Sequence, residues 1–446
     1  MARDWQMRLG AFLMGVGHHV AAWLHPSVDQ RGLTRLDHYL TLARTAERAK
    51  LDAIFFADNV ATFGPPSELS ALGAPVYYFD PLTLLAALAP QTERIGPVAT
   101  VSATYLPPYH LARKFSSLDH LSGGRAGWNC VTSASDAEAR NFGLDHQYEH
   151  GHRYARAAEY LEVVKALWGS WEEGALLADR GHRRYFDPDR VHPIGHEGAF
   201  FKVEGPLQLD RTPQGHPVIV QAGSSDDGIA LAAAAAELVF TAQQSRDDAV
   251  AFRERLHKET AANGRDPETV LVLPGVMPFV AETREEAQRL HDELQDLVDP
   301  RIGIGLTSAM AGIDLSQFPL DGPMPEPPVT QGYQSRQKLF VDTARAEGLT
   351  IRQLIARVIT ARGHKTIVGT PSDVADLLED WFDAGAADGF NIMPPTLPQG
   401  LDAFADLVVP ELQRRGLFRT DYAGTTLREH LGLPFPYPPR LAGTAE

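Results

Sequence analysis

Short apolar runs alternate with amphipathic helical stretches along almost the whole of this 446-residue chain, and no other feature restricts its fold as strongly. Runs at 7–13, 53–57, 95–103, 126–131, 217–222, 238–242, 270–280 and 389–393 read as buried strands. Helical patterns separate them at 36–49, 81–89, 109–121, 152–167, 226–235, 246–263, 284–297 and 371–384, and 401–415 closes the series. Repeated βα units imply a parallel sheet, and eight of them imply a closed barrel. The expected fold is therefore α/β: a (β/α)8 TIM-like barrel in one domain over residues 1–446, with insertions at the C-terminal mouth. Residues 172–216 and 299–366 break the alternation, the second turning helical from about residue 333, and both are too long for bare connections. A tail at 418–446 is rich in Pro and Gly and is expected to wrap over the barrel or a partner subunit.

Composition excludes several classes. The net charge of −16 comes with no stripe of Lys and Arg that could displace phosphate counterions, which argues against nucleic acid. No run of 18 apolar residues exists to span a membrane, and the first residues lack the apolar core of a signal peptide, so a cytoplasmic protein is expected. Cys130 is the sole cysteine, so neither an internal disulfide nor a cysteine-rich metal site can form.

In a barrel, polar residues at strand C-terminal ends are the first candidates for function. Here these are Asp58, Thr104, Asn129, Ser224 and Ser225. Gly223-Ser224-Ser225-Asp226 follows a strand and opens a helix, where free N–H groups and two hydroxyls suit a phosphate; the same residues also read as an ordinary N-cap. His150 and Tyr154, four apart at a helix start, share a face and reach either a ligand or solvent. His18 and His19 follow the first strand and are candidates for proton transfer near neutral pH. They are adjacent, so along an extended chain they point apart, which speaks against a barrel metal site. Asn129 can both donate and accept, whereas Cys130 reads as a small buried hydrophobe.

The block Val101-Ser102-Ala103-Thr104-Tyr105-Leu106-Pro107-Pro108-Tyr109-His110 runs on through Leu121-Ser122-Gly123-Gly124-Arg125 and Gly127-Trp128-Asn129-Cys130-Val131-Thr132-Ser133. With Pro217-Val218-Ile219-Val220-Gln221-Ala222-Gly223 and Leu417-Phe418-Arg419-Thr420-Asp421-Tyr422, it resembles the bacterial-luciferase-like, FMN-dependent monooxygenases. Within them it is most similar to the branch holding nitrilotriacetate, EDTA, dibenzothiophene-sulfone and long-chain alkane monooxygenases. The resemblance implies reduced FMN and O2 as cofactors, with a flavin hydroperoxide as oxidant. It also implies a separate NAD(P)H:FMN reductase, a small organic substrate such as an organosulfur or xenobiotic compound, and a homodimer or homotetramer. By the same resemblance Asp58, Thr104, Asn129, His150, Tyr154, Ser224 and Ser225 contact FMN, His18 or His19 handles the proton, and no metal is needed. The sequence departs from the alkane enzyme, with Ala134 where that enzyme carries a histidine, so a long-chain alkane is not the expected substrate. Three other readings stay open: flavin as the substrate, a deazaflavin-dependent dehydrogenase, and a flavin-binding protein without turnover.

Overall fold

The computed structural model describes residues 6–62, 67–73, 79–328 and 334–436. Nine parallel strands form its main sheet: β1 (Arg8–Leu13), β2 (Ala53–Phe56), β3 (Gly96–Ser102), β4 (Gly127–Val131), β5 (Val218–Gln221), β6 (Leu238–Thr241), β7 (Leu271–Val280), β8 (Lys365–Gly369) and β9 (Gly389–Ile392). Eight of them close a ring in the order β1-β2-β3-β4-β5-β6-β7-β9, with β9 pairing back onto β1. The expected (β/α)8 barrel is the fold observed.

Alternation along each strand separates two cores. On β1, Leu9, Ala11 and Leu13 face outward into the layer shared with the helices, while Phe12 faces inward. Phe12, Phe55 and Phe240 meet inside the barrel at centroid distances of 4.9 to 5.6 Å and make an aromatic floor. The opposite, N-terminal end is plugged by the short helix Leu427–Leu431. A Cβ at Gly96 would stand 2.6 Å from Leu427 Cδ1, so only glycine lets this plug seat. Buried ion pairs pin it: Arg419 with Asp52, and Arg428 with Glu237 at 2.5 Å. The described part of the tail, 418–436, thus closes this chain's own barrel, while 437–446 lie outside the described residues.

The two irregular stretches sit at different ends. Residues 172–216 connect a helix to β5, so they leave and re-enter the barrel at its N-terminal side. Their middle climbs the outside of the long helix α4 (His150–Trp168), where Glu159 accepts the Phe200 and Phe201 amides at 2.8 to 3.1 Å. They form two small hairpins and not the cap over the mouth expected of a long insertion. Residues 299–366 follow β7 and its helix α7 (Arg284–Asp296) and bring helices over the mouth, among them α9 (Gln334–Glu347) and α10 (Ile351–Ala361). The helical start expected near residue 333 falls at the edge of the described residues. This stretch ends on a strand that its pattern does not announce: β8 pairs with Val276–Val280, the upper half of β7. Among the described residues no helix is long and apolar enough to cross a membrane.

Candidate active site

Above the aromatic floor the barrel interior turns polar. Asn129, on β4, donates its amide to Thr100 Oγ1 at 2.9 Å. Its Oδ1 is buried and has no hydrogen-bond partner among the described residues. Asn391 on β9 is the same: buried, with its Oδ1 unpartnered over Gly10, where a Cβ would come within 2.8 Å. Two buried acceptors without donors among the described residues, on two strands of one barrel, are costly, and they suit a ligand that brings N–H groups.

A hydroxyl-rich corner lies between β4 and β5. Ser225 caps the helix α5 (Asp226–Ala235), its Oγ accepting the Gly228 amide at 3.2 Å. Ser224 Oγ meets Thr241 Oγ1 at 3.0 Å. The Tyr154 hydroxyl sits beside those of Ser225 and Thr132 and is held above its usual pKa, chiefly by burial. The His150 ring lies 4.8 Å from that of Tyr154 and bonds Asp227 at 2.8 Å. Thr104 joins through its hydroxyl, given to the Thr132 carbonyl at 2.7 Å. Five of the residues expected at the site are therefore one cluster, and Asn129 lies one layer below it. Asp58 stands apart beyond β2, its pKa raised to about 6 by burial first and then by the charges of Asp80 and Glu138.

The two histidines part company. The loop after β1 is stitched to the segment after β9 by the His18 and His19 amides, which donate to Pro394 and Pro395 at 2.9 and 3.2 Å. Gly17, at φ +141°, passes so close that a Cβ would lie 2.3 Å from the Pro395 carbonyl. His18 turns into the barrel, its ring edge-on to Phe12 at 4.4 Å. Its Nε2 gives a hydrogen bond to the Phe12 carbonyl at 2.9 Å, leaving Nδ1 as a buried, unpartnered lone pair. His19 turns the other way, toward Phe279 at 6.4 Å, and its Nδ1 accepts the Ala21 amide at 3.2 Å. Burial foremost, then the Arg362 charge, lowers both to about 3, so both are neutral at pH 7.

Sequence reasoning missed the opposite wall. His364, just before β8, stacks on Phe240 at 5.0 Å and accepts Arg336 Nη2 on its Nε2 at 2.7 Å. Arg362, beyond the end of α10, donates to the His18 carbonyl at 2.6 Å. No motif marks these residues; a long connection alone brings them to the floor. Among the described residues no three of His, Cys, Asp and Glu gather as a metal ion would need.

Residues 7–388 match the family model described as luciferase-like monooxygenase. The chain belongs to this family. Among luciferase-like monooxygenases it is 50% identical over 445 residues to nitrilotriacetate monooxygenase component A of Aminobacter aminovorans, covering 98% of each. It is 48% identical over 436 residues to N-acetyl-S-(2-succino)cysteine monooxygenase of Bacillus subtilis (strain 168), covering 97% of each. A solved riboflavin lyase, RcaE, with modified FMN and substrate riboflavin, superposes with a TM-score of 0.87 at 32% identity over 96% of each chain. The mouth of this luciferase-like monooxygenase is thus lined by hydroxyls on one side, carboxylates on the second and cations on the third.

Proposed function

We propose that this chain is the oxygenating component of a two-component system: it receives reduced FMN from a separate NAD(P)H:FMN reductase and uses O2 to oxidise a small organic molecule. Bound reduced FMN supplies the two electrons that put one oxygen atom of O2 into the substrate and the other into water. The single observation that carries the reading is Asn129 Oδ1, a buried acceptor inside the mouth without a donor. A flavin's pyrimidine edge presents an N–H of the kind this atom lacks. The rest of the residues also fit FMN. Ser225, Ser224 and Tyr154 supply hydroxyls at the start of α5, where the helix dipole favours a phosphate. The acidic first turn does not oppose this, because Asp226 is paired with Arg255 and Asp227 with His150, both at 2.8 Å. Asp58 and Thr104 would meet ribityl hydroxyls or the polar edge of the ring. His18 Nδ1, a neutral, buried lone pair, would accept a hydrogen bond from the proton on the flavin or substrate and so position it; His19, facing away, would support the loop. The helices of 299–366 exclude water from above.

The test is turnover of nitrilotriacetate and N-acetyl-S-(2-succino)cysteine under 18O2, with NADH, FMN and an added flavin reductase. One labelled oxygen per product is expected. Loss of flavin in step with NADH, with the organic substrate untouched, would instead make flavin the substrate, as in the riboflavin lyase. Tight FMN binding without any product would leave a flavin-binding protein.

A further inference from the structure

We propose that the cationic wall of the mouth selects an organic polycarboxylate, gripped by Arg336 and Arg362 beside His18 and His364; this rests on the monooxygenase reading above. The placement of both guanidiniums is fixed by the floor. Arg362 is tied to the backbone of His18, and Arg336 to the ring of His364, which itself lies flat on Phe240. Both arginines are half-buried. His364 Nε2 accepts from Arg336, so its proton sits on Nδ1. That N–H is buried and faces the Thr241 carbonyl.

Charge points the same way. The charged neighbour that depresses both His18 and His19, after burial, is Arg362. Arg336 and Arg362 act on His364 in the same way. The site's carboxylates, Asp58, Asp80 and Glu138, act on one another on the far side of the mouth. Half-buried cations favour an anion, and guanidinium pairs with carboxylate through two parallel hydrogen bonds. Two separate guanidiniums suit a molecule with carboxylates at both ends. Nitrilotriacetate and N-acetyl-S-(2-succino)cysteine, after which the two relatives are named, are such molecules, each with carboxylates on either side of one central heteroatom.

The experiment is calorimetric titration of the full chain with nitrilotriacetate, N-acetyl-S-(2-succino)cysteine and their methyl esters, in metal-free buffer. Reduced FMN is titrated anaerobically in parallel. We expect at least one acid to bind and its ester to bind at least about tenfold more weakly. Arg336→Gln and Arg362→Gln should each weaken the acid about 10- to 100-fold, the range for losing a charged hydrogen bond. Arg362→Lys, keeping the charge, should recover part of the loss, and reduced FMN should bind all variants within about threefold, which also shows that they fold. Esters binding as well as acids, Gln variants binding acids normally, or reduced FMN binding without either acid would each overturn the proposal. Failure of reduced FMN to bind the unaltered chain would instead overturn the monooxygenase reading beneath it.

Discussion

Asn129 keeps one half of its amide satisfied and the other half not, and that asymmetry makes it a sharp probe. Asn129→Ala removes the unpaired acceptor along with the bond to Thr100. These changes partly offset in stability, since an unsatisfied buried acceptor costs about 1–3 kcal/mol while the bond contributes about 1. The expected outcome is a shift in Tm of less than about 4 °C, with reduced-FMN affinity falling about tenfold in anaerobic fluorescence titrations. Asp58 gives a second prediction. Burial, with Asp80 and Glu138 beside it, lifts its pKa to about 6, so it gains its charge as pH rises from 5 to 7. A carboxylate facing an electron-rich, phosphorylated ligand repels it, so Asp58→Asn should bind reduced FMN more tightly than the parent at pH 7.5. The two should converge at pH 5. A ratio of affinities that does not change with pH would remove Asp58 from the flavin site. These positions were readable in the sequence because strand ends in a barrel are known places to look. His364, Arg336 and Asn391 were not: a histidine or arginine in a long connection, or an asparagine inside a strand, carries no local sign of what the closed ring will set beside it.

At the scale of elements, the cap of α5 joins stability to selectivity. Ser225 Oγ accepts the Gly228 amide and still has a proton to give. Ser225→Ala should cost about 1 kcal/mol of stability through the lost cap, seen as a lower urea midpoint. If the same hydroxyl also meets the phosphate, reduced FMN should lose about tenfold in affinity while reduced riboflavin, lacking the phosphate, is unaffected. Equal losses for both would mean that Ser225 acts only as a cap. Capping residues also explain why the helices were legible. Asp80, Ser225, Ser245, Thr283 and Thr370 each cap the helix that the periodicity places after them. β8 was hidden because its five residues are mostly half-exposed and follow directly on α10, so no buried apolar run sets them apart. The position of 172–216 was legible in principle, since any connection from helix to strand belongs to the N-terminal end of a parallel barrel. Its length suggested the mouth only because length carries no topology.

For the molecule as a whole, the buried titratable groups determine how stability changes with pH. His18, His19, His216 and His364 are all buried, and burial is the first cause depressing each: His18 and His19 to about 3, His216 to about 4, and His364 well below its usual value. In the unfolded chain each would take up a proton near pH 6.5, so as pH falls below that value the unfolded state binds four protons that the folded state refuses. Stability then drops by about 1.4 kcal/mol per pH unit for each group. Two carboxyls oppose this. Asp119 and Asp58 are raised by burial to about 6; between pH 6 and about 4 they are protonated when folded and ionised when unfolded, so they gain stability as pH falls. Among these six groups the balance between pH 6 and 4 is about two protons, or roughly 3 kcal/mol lost per pH unit, with a plateau above pH 7; His38, His257 and His430, also lowered by burial, add to the loss. Glu237, lowered to about 2 by Arg428 and His216 against the cost of its burial, adds its own loss only below about pH 4.5. Urea melts from pH 5 to 8 should show the plateau and the fall. His216, stacked on Trp168 at the plugged end of the barrel, offers the decisive variant because it is remote from the flavin corner. His216→Gln removes one of these protons, so it should lower stability at pH 8 yet reduce the slope below pH 6 by about 1.4 kcal/mol per pH unit. An unchanged slope would mean that His216 takes up its proton in the folded state and that the barrel end around it admits water.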